Sequence, residues 1–223
     1  MGTLYVVGTP IGNLEDITLR AIRILKEVDF IICEDTRWSQ KLLNHYSIKK
    51  PLISYHQHSK LTRINEIVKR LDQKKAALVS DAGTPGIADP GNKLVKEVLS
   101  QGIKVEVVPG PSALIVLLSI SGLATDKFEF LGFLPHKKGR ATLFKKIEGA
   151  DRLIIFYESP HRIQKTLQSL AEVLTEERQV VVGRELTKMF EEIIRGNAQQ
   201  VNKYFIDNPN KVKGEFTVIV NHK

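Results

Sequence analysis

The polar residues with chemical potential sit in short segments, each directly after an apolar, β-branched run. The first is Gly8-Thr-Pro-Ile-Gly-Asn13. Its glycines let backbone N–H groups approach a bound group closely, although a tight strand-to-helix turn would use them equally well. The second, Glu34-Asp-Thr-Arg37, sets two carboxylates and a guanidinium behind Phe30 to Cys33. Either Asp35 and Arg37 satisfy one another or they face a polar ligand. The third, Ser80-Asp-Ala-Gly-Thr-Pro-Gly-Ile-Ala-Asp-Pro-Gly91, packs three Gly, two Pro and two Asp into twelve residues. Such a segment has a set backbone path and exposed N–H and C=O groups, which suits main-chain recognition of a small polar cofactor. Asp81 could take an ammonium group, and Asp89 is expected to cap the next helix.

Three more segments continue the series. Pro109-Gly-Pro-Ser-Ala113 opens a helix that Ser112 can cap, while Tyr157-Glu-Ser-Pro-His-Arg162 adds Glu158, His161 and Arg162. Arg184-Glu-Leu-Thr-Lys188 adds Glu185 and Lys188. Neither the Gly-Lys-Ser/Thr ending of a phosphate loop nor the Gly-x-Gly-x-x-Gly dinucleotide fingerprint occurs. His56 and His58 alternate as metal ligands can, but no Cys or third His lies at a fitting spacing, so no metal is expected. Cys33 reads as a buried small apolar side chain. The run His136-Lys-Lys-Gly-Arg140, with Lys145 and Lys146, is either a solvated loop or a reach toward phosphates.

Positioning these segments requires strands that stop just before them. Such runs are Leu4 to Val7, Phe30 to Cys33, Leu52 to Tyr55, Ala76 to Ser80 and Val105 to Val108, each leading into a helix. Ile64, Ile67, Val68 and Leu71 mark one helical stripe at the i, i+3, i+4, i+7 spacing, and Leu19, Ile22, Ile24 and Leu25 mark another. Alternating β and α elements predict a mostly parallel sheet whose ligands lie beyond the carboxyl ends of its strands. After residue 110 a helix is expected to about Ile120, ended by Gly122. A second sheet follows at Phe128 to Phe133, Leu153 to Tyr157, Val180 to Gly183, Ile193 to Arg195 and Phe216 to Val220. Helices are expected near Arg140 to Ile147 and Arg162 to Leu174. The division predicts two α/β domains, 1–110 and 111–223, packed directly on each other across a cleft.

Composition limits the partners. The 223 residues hold 33 Lys+Arg against 25 Asp+Glu, a net charge of +8, at 42% hydrophobic and 26% charged. Disordered, collagenous and coiled-coil classes are excluded by that balance. Up to Gly110 lie 16 basic and 12 acidic side chains, and beyond it 17 and 13, so no tail carries the excess. An evenly basic surface fits either plain solvation or a polyanion such as nucleic acid. A single cysteine cannot form an internal disulfide, and no leader precedes Leu4, so a cytoplasmic protein is expected. The longest wholly apolar stretch, Ala113 to Leu118, is far short of the roughly 20 residues of a membrane helix.

Taken together, Gly8-Thr-Pro-Ile-Gly-Asn-Leu-Glu-Asp-Ile-Thr18, Glu34 to Arg37, Ser80 to Pro85, Pro109 to Ser112, Gly132-Phe-Leu-Pro135, Phe156 to Arg162 and Arg184 to Lys188 resemble the motif series of ribosomal RNA small-subunit methyltransferases in the tetrapyrrole methylase superfamily. The resemblance implies two α/β domains, the first sheet mostly parallel and the second mixed, with S-adenosyl-L-methionine in the cleft between them. It implies a homodimer without a metal. The implied reaction is transfer of methyl to the ribose 2′-oxygen of a decoding-region cytidine in 16S ribosomal RNA, free or in the 30S subunit. Position by position, the implied cofactor loops are Ser80, Asp81, Ala82, Gly83, Thr84 and Pro85 together with Pro109, Gly110, Pro111, Ser112 and Ala113. Phe156, Tyr157 and Glu158 would close the pocket. Pro10, Gly12, Asn13, Glu34, Arg37, His161, Arg162 and Arg184 would meet the acceptor. Members of this family commonly continue into a helical C-terminal extension after the last strand, where this chain stops, which leaves free RNA and an assembled subunit both open as substrate.

Methyl transfer from a sulfonium is an in-line displacement, so collinear positioning dominates and can supply roughly 7 to 11 kcal/mol. A ribose hydroxyl is a poor nucleophile, and a positioned base should add about 10² to 10⁴-fold. Asp35, Glu158, Glu185 and Lys188 are the candidates, with Asp35 preferred because Arg37 could keep it ionised while orienting a phosphate. A same-fold methylase acting on a small tetrapyrrole, and a catalytically silent RNA-binding protein, are the alternatives.

Overall fold

The computed structural model describes residues 2–56 and 59–222. His58, half of the weighed metal pair, lies outside them. The chain divides into two compact units, Met1–Ser112 and Ala113–Lys223.

In the first unit, strands β1 (Thr3–Val7), β2 (Phe30–Cys33), β3 (Leu52–Ser54), β4 (Lys75–Leu78) and β5 (Lys104–Val108) form a sheet of order β3-β2-β4-β1-β5. Every pairing is parallel. Parallel strands need crossovers, and helices α1 (Leu19–Glu27), α2 (Thr36–His45), α3 (Leu61–Leu71) and α4 (Gly91–Ser100) supply them. Side chains alternate along each strand, so the sheet buries both faces. Ile31, Cys33, Val7 and Ala77 pack with Ala21, Ile24 and Leu25 of α1 and Leu43 of α2. Phe30, Ile32, Leu4 and Leu78 pack with Ile64, Ile67 and Leu71 of α3 and Leu94 and Val98 of α4. Cys33 is fully buried, as its neighbours in sequence suggested. Thr18 starts α1 by accepting from the Ala21 amide at 3.0 Å.

The second unit holds α5 (Ala113–Ile120), β6 (Phe128–Phe133), α6 (Arg140–Glu148), β7 (Leu153–Glu158), α7 (Ile163–Val173), β8 (Gln179–Arg184), β9 (Glu192–Asn197), α8 (Ala198–Asp207) and β10 (Phe216–Val220). Its sheet runs β6-β7-β10-β8-β9. Only β6 and β7 pair in parallel; β10 is antiparallel to both neighbours, and so is β8 to β9. One face of it forms a core with α6, α7 and α8, centred on Phe156, Phe205 and Phe216. Arg178 is buried in this unit, its guanidinium donating to the carbonyls of Asn221, Glu148 and Ile147 at 2.7 to 3.1 Å. It thereby satisfies carbonyls at the end of α6 that would otherwise lack partners.

Differences from the sequence expectation are local. The strand expected to reach Ser80 stops at Leu78, because the Ser80 hydroxyl turns back to the carbonyls of Ala82 (3.1 Å) and Gly83 (3.4 Å). Helix α8 was not anticipated, although Asn197 and Gln200 form a reciprocal capping box at its start, a signal present in the sequence. Gly122 follows α5 at φ +77°, as its position after the apolar run suggested.

Candidate functional site

In the first unit all five strands run parallel, and the loops after β1, β4 and β5 are tied together largely by main-chain contacts. Thr9 and Gly83 pair through two backbone bonds, Thr9 N–H to the Gly83 carbonyl at 2.9 Å and Gly83 N–H to the Thr9 carbonyl at 3.1 Å. The Thr9 hydroxyl adds donations to the carbonyls of Gly83 (3.3 Å) and Ser80 (3.4 Å). Gly8 and Gly110 touch backbone to backbone: a Cβ on Gly110 would lie 2.8 Å from the main chain of Gly8. Only glycine permits that approach. The Thr84 hydroxyl meets the Pro111 carbonyl at 3.5 Å, and Gly83 and Gly86 adopt φ +78° and +89°. The segments after β1, β4 and β5 therefore form one cradle of turns, although no spacing along the chain brings Thr9 to Gly83.

The loop after β2 joins through a carboxylate: Asp81 Oδ1 accepts from the Asp35 amide at 3.0 Å. Asp35 itself caps α2, accepting from the Arg37 amide at 2.8 Å, and pairs with the Arg37 guanidinium at 2.6 Å. The structural-pair alternative for Asp35 and Arg37 is thus the one seen. Hydrogen bonds from the Arg37 side chain and then its amide hold the Asp35 carboxyl at about 2. A carboxylate of that strength is ionised throughout the physiological range but is a weak base, which removes the reason for preferring it as proton acceptor. Glu34 goes the other way: burial, then the charges of Asp81 and Asp89, push it above the ordinary range. Asp81 is also raised, by burial first, although the Asp35 amide pulls it down. Glu34, Tyr55, Ser80, Pro85, Asp89 and Gly91 line a recess with room for about one water. Asp89 is not the cap residue of α4, a place taken by Pro90; it accepts from the amides of Gly86 (2.6 Å) and Gly91 (2.8 Å), closing the loop onto the helix start. Gly12 and Asn13 are exposed beside this edge, whereas Pro10 is buried and offers no side-chain surface to an acceptor.

In the second unit the segment after β7 is built on Glu158, whose side chain is fully buried. It accepts from Arg162 (2.7 Å), the Thr166 hydroxyl (2.7 Å) and the Ser159 amide (2.9 Å), with Arg140 at 3.9 Å. Arg162 also donates to the Leu134 carbonyl at 2.7 Å, and Arg140 to Thr166 at 2.6 Å. These partners engage Glu158 and Arg162 within the chain, which is the structural role of the two side chains. The Phe156 side chain belongs to the core on the inward face of β7. His161 is exposed on the same turn.

The turn after β8 is strained. Glu185 and Thr187 both hold positive φ, 51° and 64°, where side chains other than glycine are disfavoured by about 1–3 kcal/mol each. Glu185 is held by the Glu215 amide and by Lys188, each at 2.9 Å, and Lys188 also meets Glu215 at 3.2 Å. Burial alone would raise the Glu185 carboxyl, but the Glu215 amide and Lys188 outweigh it and leave it lowered. Burial would lower Lys188; its hydrogen bond to Glu185 and the charge of Glu215 reverse that, so it stays protonated. Gly214, at φ +87°, is required here, since a Cβ would fall 2.4 Å from the Glu185 carboxylate. Arg184 donates to the carbonyls of Lys213 (3.0 Å) and Phe190 (3.1 Å), which ties the turn together. Sequence reasoning missed Thr9, Thr166 and Gly214 because each acts through a partner distant in the chain. Among the described residues no three His, Cys, Asp or Glu side chains group as a metal site requires, and no helix is long and apolar enough to cross a membrane.

The family model of the Tetrapyrrole (Corrin/Porphyrin) Methylases matches residues 3–202. The ribosomal RNA small subunit methyltransferase I of Thermotoga maritima is 47% identical over 224 residues, covering all of both chains. The protein of the same name from Haemophilus influenzae is 46% identical over all of this chain and 79% of its own length, so it is longer where the Thermotoga protein is not. The Synechocystis relative is 48% identical over 99% of this chain. Among solved structures, a diphthine synthase superposes with a TM-score of 0.77 at 13% identity, covering 99% of this chain and 90% of its own. The uroporphyrin-III-C-methyltransferase of Thermus thermophilus gives 0.69 at 18%, covering 99% and 94%. At such identities these two report the fold alone. With two α/β units, an all-parallel first sheet, a mixed second sheet and near-full-length kinship, the chain belongs to the tetrapyrrole methylases and, within them, to the ribosomal RNA small subunit methyltransferase I family.

Proposed function

We propose that the chain is a methyltransferase that uses S-adenosyl-L-methionine to methylate the ribose 2′-oxygen of a decoding-region cytidine in 16S ribosomal RNA, free or in the 30S subunit, acting in the cytoplasm as a homodimer. The observation that carries the reading is 46–48% identity, over almost the whole chain, to proteins named for small-subunit ribosomal RNA methylation.

The first unit's edge suits such a donor. In a chain of net charge +8 it gathers Glu34, Asp35, Asp81 and Asp89, and its turns are built from glycine and proline. When bound, the donor supplies a methyl group on a cationic sulfur. Asp81 would take its ammonium group, and the main chain of residues 80–85 and 109–113 would hold the remainder. The Thr9–Gly83 and Gly8–Gly110 contacts fix these turns before any ligand arrives, which lowers the entropy cost of alignment. Arg37, exposed apart from its contact with Asp35, would hold a phosphate beside the target ribose. Asp35 orients that guanidinium. Glu34, raised by burial, is the more basic of the Glu34–Asp35 pair, and we assign it acceptance of the 2′-hydroxyl proton.

Incubation with methyl-labelled donor and, separately, 30S subunits, free 16S RNA or a uroporphyrinogen tests the reading. Label on a ribose of the subunit RNA is the expected result. Label on a base, on the tetrapyrrole or nowhere overturns it.

A further inference from the structure

Strand β6 lies at the edge of the second sheet, paired only with β7. Its register shifts between Phe130 and Phe133, and Gly132 there adopts φ +63°. Such a bulge turns the following side chain away from its regular direction. Phe133 is consequently 55% exposed, while the next residue, Leu134, is 2% exposed. The exposed ring rests on Tyr157, centroids 5.6 Å apart, and Tyr157 packs edge-on against Phe130 at 5.0 Å.

The segment beyond it is firmly held. Arg162 donates to the Leu134 carbonyl at 2.7 Å and Arg140 to the Pro135 carbonyl at 3.3 Å, and both guanidiniums flank the buried Glu158. His136, Lys137 and Lys138 then extend into solvent before α6 begins at Arg140. Among the described residues no carboxylate pairs with Lys137 or Lys138, whereas Lys146 farther along α6 is spent on Glu129. A large apolar ring held outward, followed within five residues by two cations without a carboxylate partner among the described residues, presents together the features that suit a ligand with a π-face and negative charge.

We propose that this edge docks a single-stranded segment of RNA, Phe133 stacking on a nucleobase and Lys137 and Lys138 contacting the adjoining phosphates. It rests on the RNA reading above and adds where the strand outside the target nucleotide is held. Base–aromatic stacking combined with a phosphate-tracking cation pair is sequence-tolerant and salt-sensitive.

The test uses the full chain and fluorescein-labelled oligocytidylate, read by polarisation across a salt series, alongside donor titration and methylation of 30S subunits. F133A is expected to weaken oligonucleotide binding about ten-fold, F133L similarly, and F133W to restore it. K137A/K138A is expected to reduce the slope of log affinity against log salt by about 1.4. Donor affinity and thermal midpoint should match the unsubstituted protein. Oligonucleotide binding unchanged in F133A and F133L overturns the proposal, and so does a loss that F133W fails to restore. Variants that bind oligocytidylate normally yet methylate subunits poorly would assign the edge to a protein contact and also overturn it. Failure of the unsubstituted protein to label RNA would instead strike the methyltransferase reading, since the binding arm reads the edge independently.

Discussion

Asp35 and Glu34 are neighbours with opposite acid strengths, and the difference decides their roles. Asp35 is held at about 2 by the Arg37 side chain and amide, so its share of native stability is present above the ordinary carboxylate range and is lost only as pH falls toward 2. Glu34, raised by burial and by Asp81 and Asp89, protonates at a higher pH than a free glutamate. The turnover rate is therefore expected to fall on acidification through that raised pKa. Glu34→Gln should remove the acid limb and lower kcat by about 10² to 10⁴-fold. Asp35→Asn should keep the limb and act mainly on the KM for the subunit. A kcat profile in which Asp35→Asn, not Glu34→Gln, erases the limb would reverse the assignment.

Asp81 provides a second residue-scale expectation. Burial raises its pKa, so the ionised form that would pair with an ammonium group is lost above the pH at which an ordinary aspartate protonates. Donor affinity measured by calorimetry should weaken as pH falls through that region. Asp81→Asn should give uniformly weak, pH-independent binding; retention of the acid limb in that variant would remove Asp81 from the donor site.

At the scale of elements, β7 and α7 are joined by a polar network at their shared turn. Glu158 has two guanidiniums, a hydroxyl and an amide around it and no water-facing surface. Glu158→Gln leaves the largely covered Arg140 and Arg162 without their counter-charge, an expected loss of about 3 kcal/mol in urea unfolding. Thr166→Val should cost less, about 1–3 kcal/mol, because only one hydrogen-bonding group is lost. A Glu158→Gln protein as stable as its parent would show that the network is not the support of the β6 edge. The sequence displayed Tyr157-Glu-Ser-Pro-His-Arg162 as a chemical motif, and the elements show why half of it is structural: a carboxylate at the inward end of a buried strand must be neutralised by its own chain.

For the molecule as a whole, the excess of 33 basic over 25 acidic residues is spread along the chain, while carboxylates gather on one edge of the first unit and unpaired lysines on one edge of the second. The two ligands should accordingly respond differently to salt. Raising sodium chloride is expected to increase the KM for 30S subunits steeply and to leave donor affinity nearly unchanged. Steady-state kinetics with each substrate varied in turn would show this, and a donor KM that rises in parallel would contradict the separation of charge.

Strand and helix types, the two-unit plan and the segments beyond the strand ends could all be read from hydrophobic period and from Gly and Pro placement, because these are local properties of the chain. So could the family, since its motifs are contiguous. Helix α8 is equally local, its start marked by the Asn197–Gln200 capping box. The approach of Gly8 to Gly110, the pairing of Thr9 with Gly83, the saturation of Glu158 and the raised pKa of Glu34 emerged only from the tertiary structure. Contact, burial and the dielectric around a charge depend on residues tens of positions away, and no spacing along the chain encodes how closely they meet.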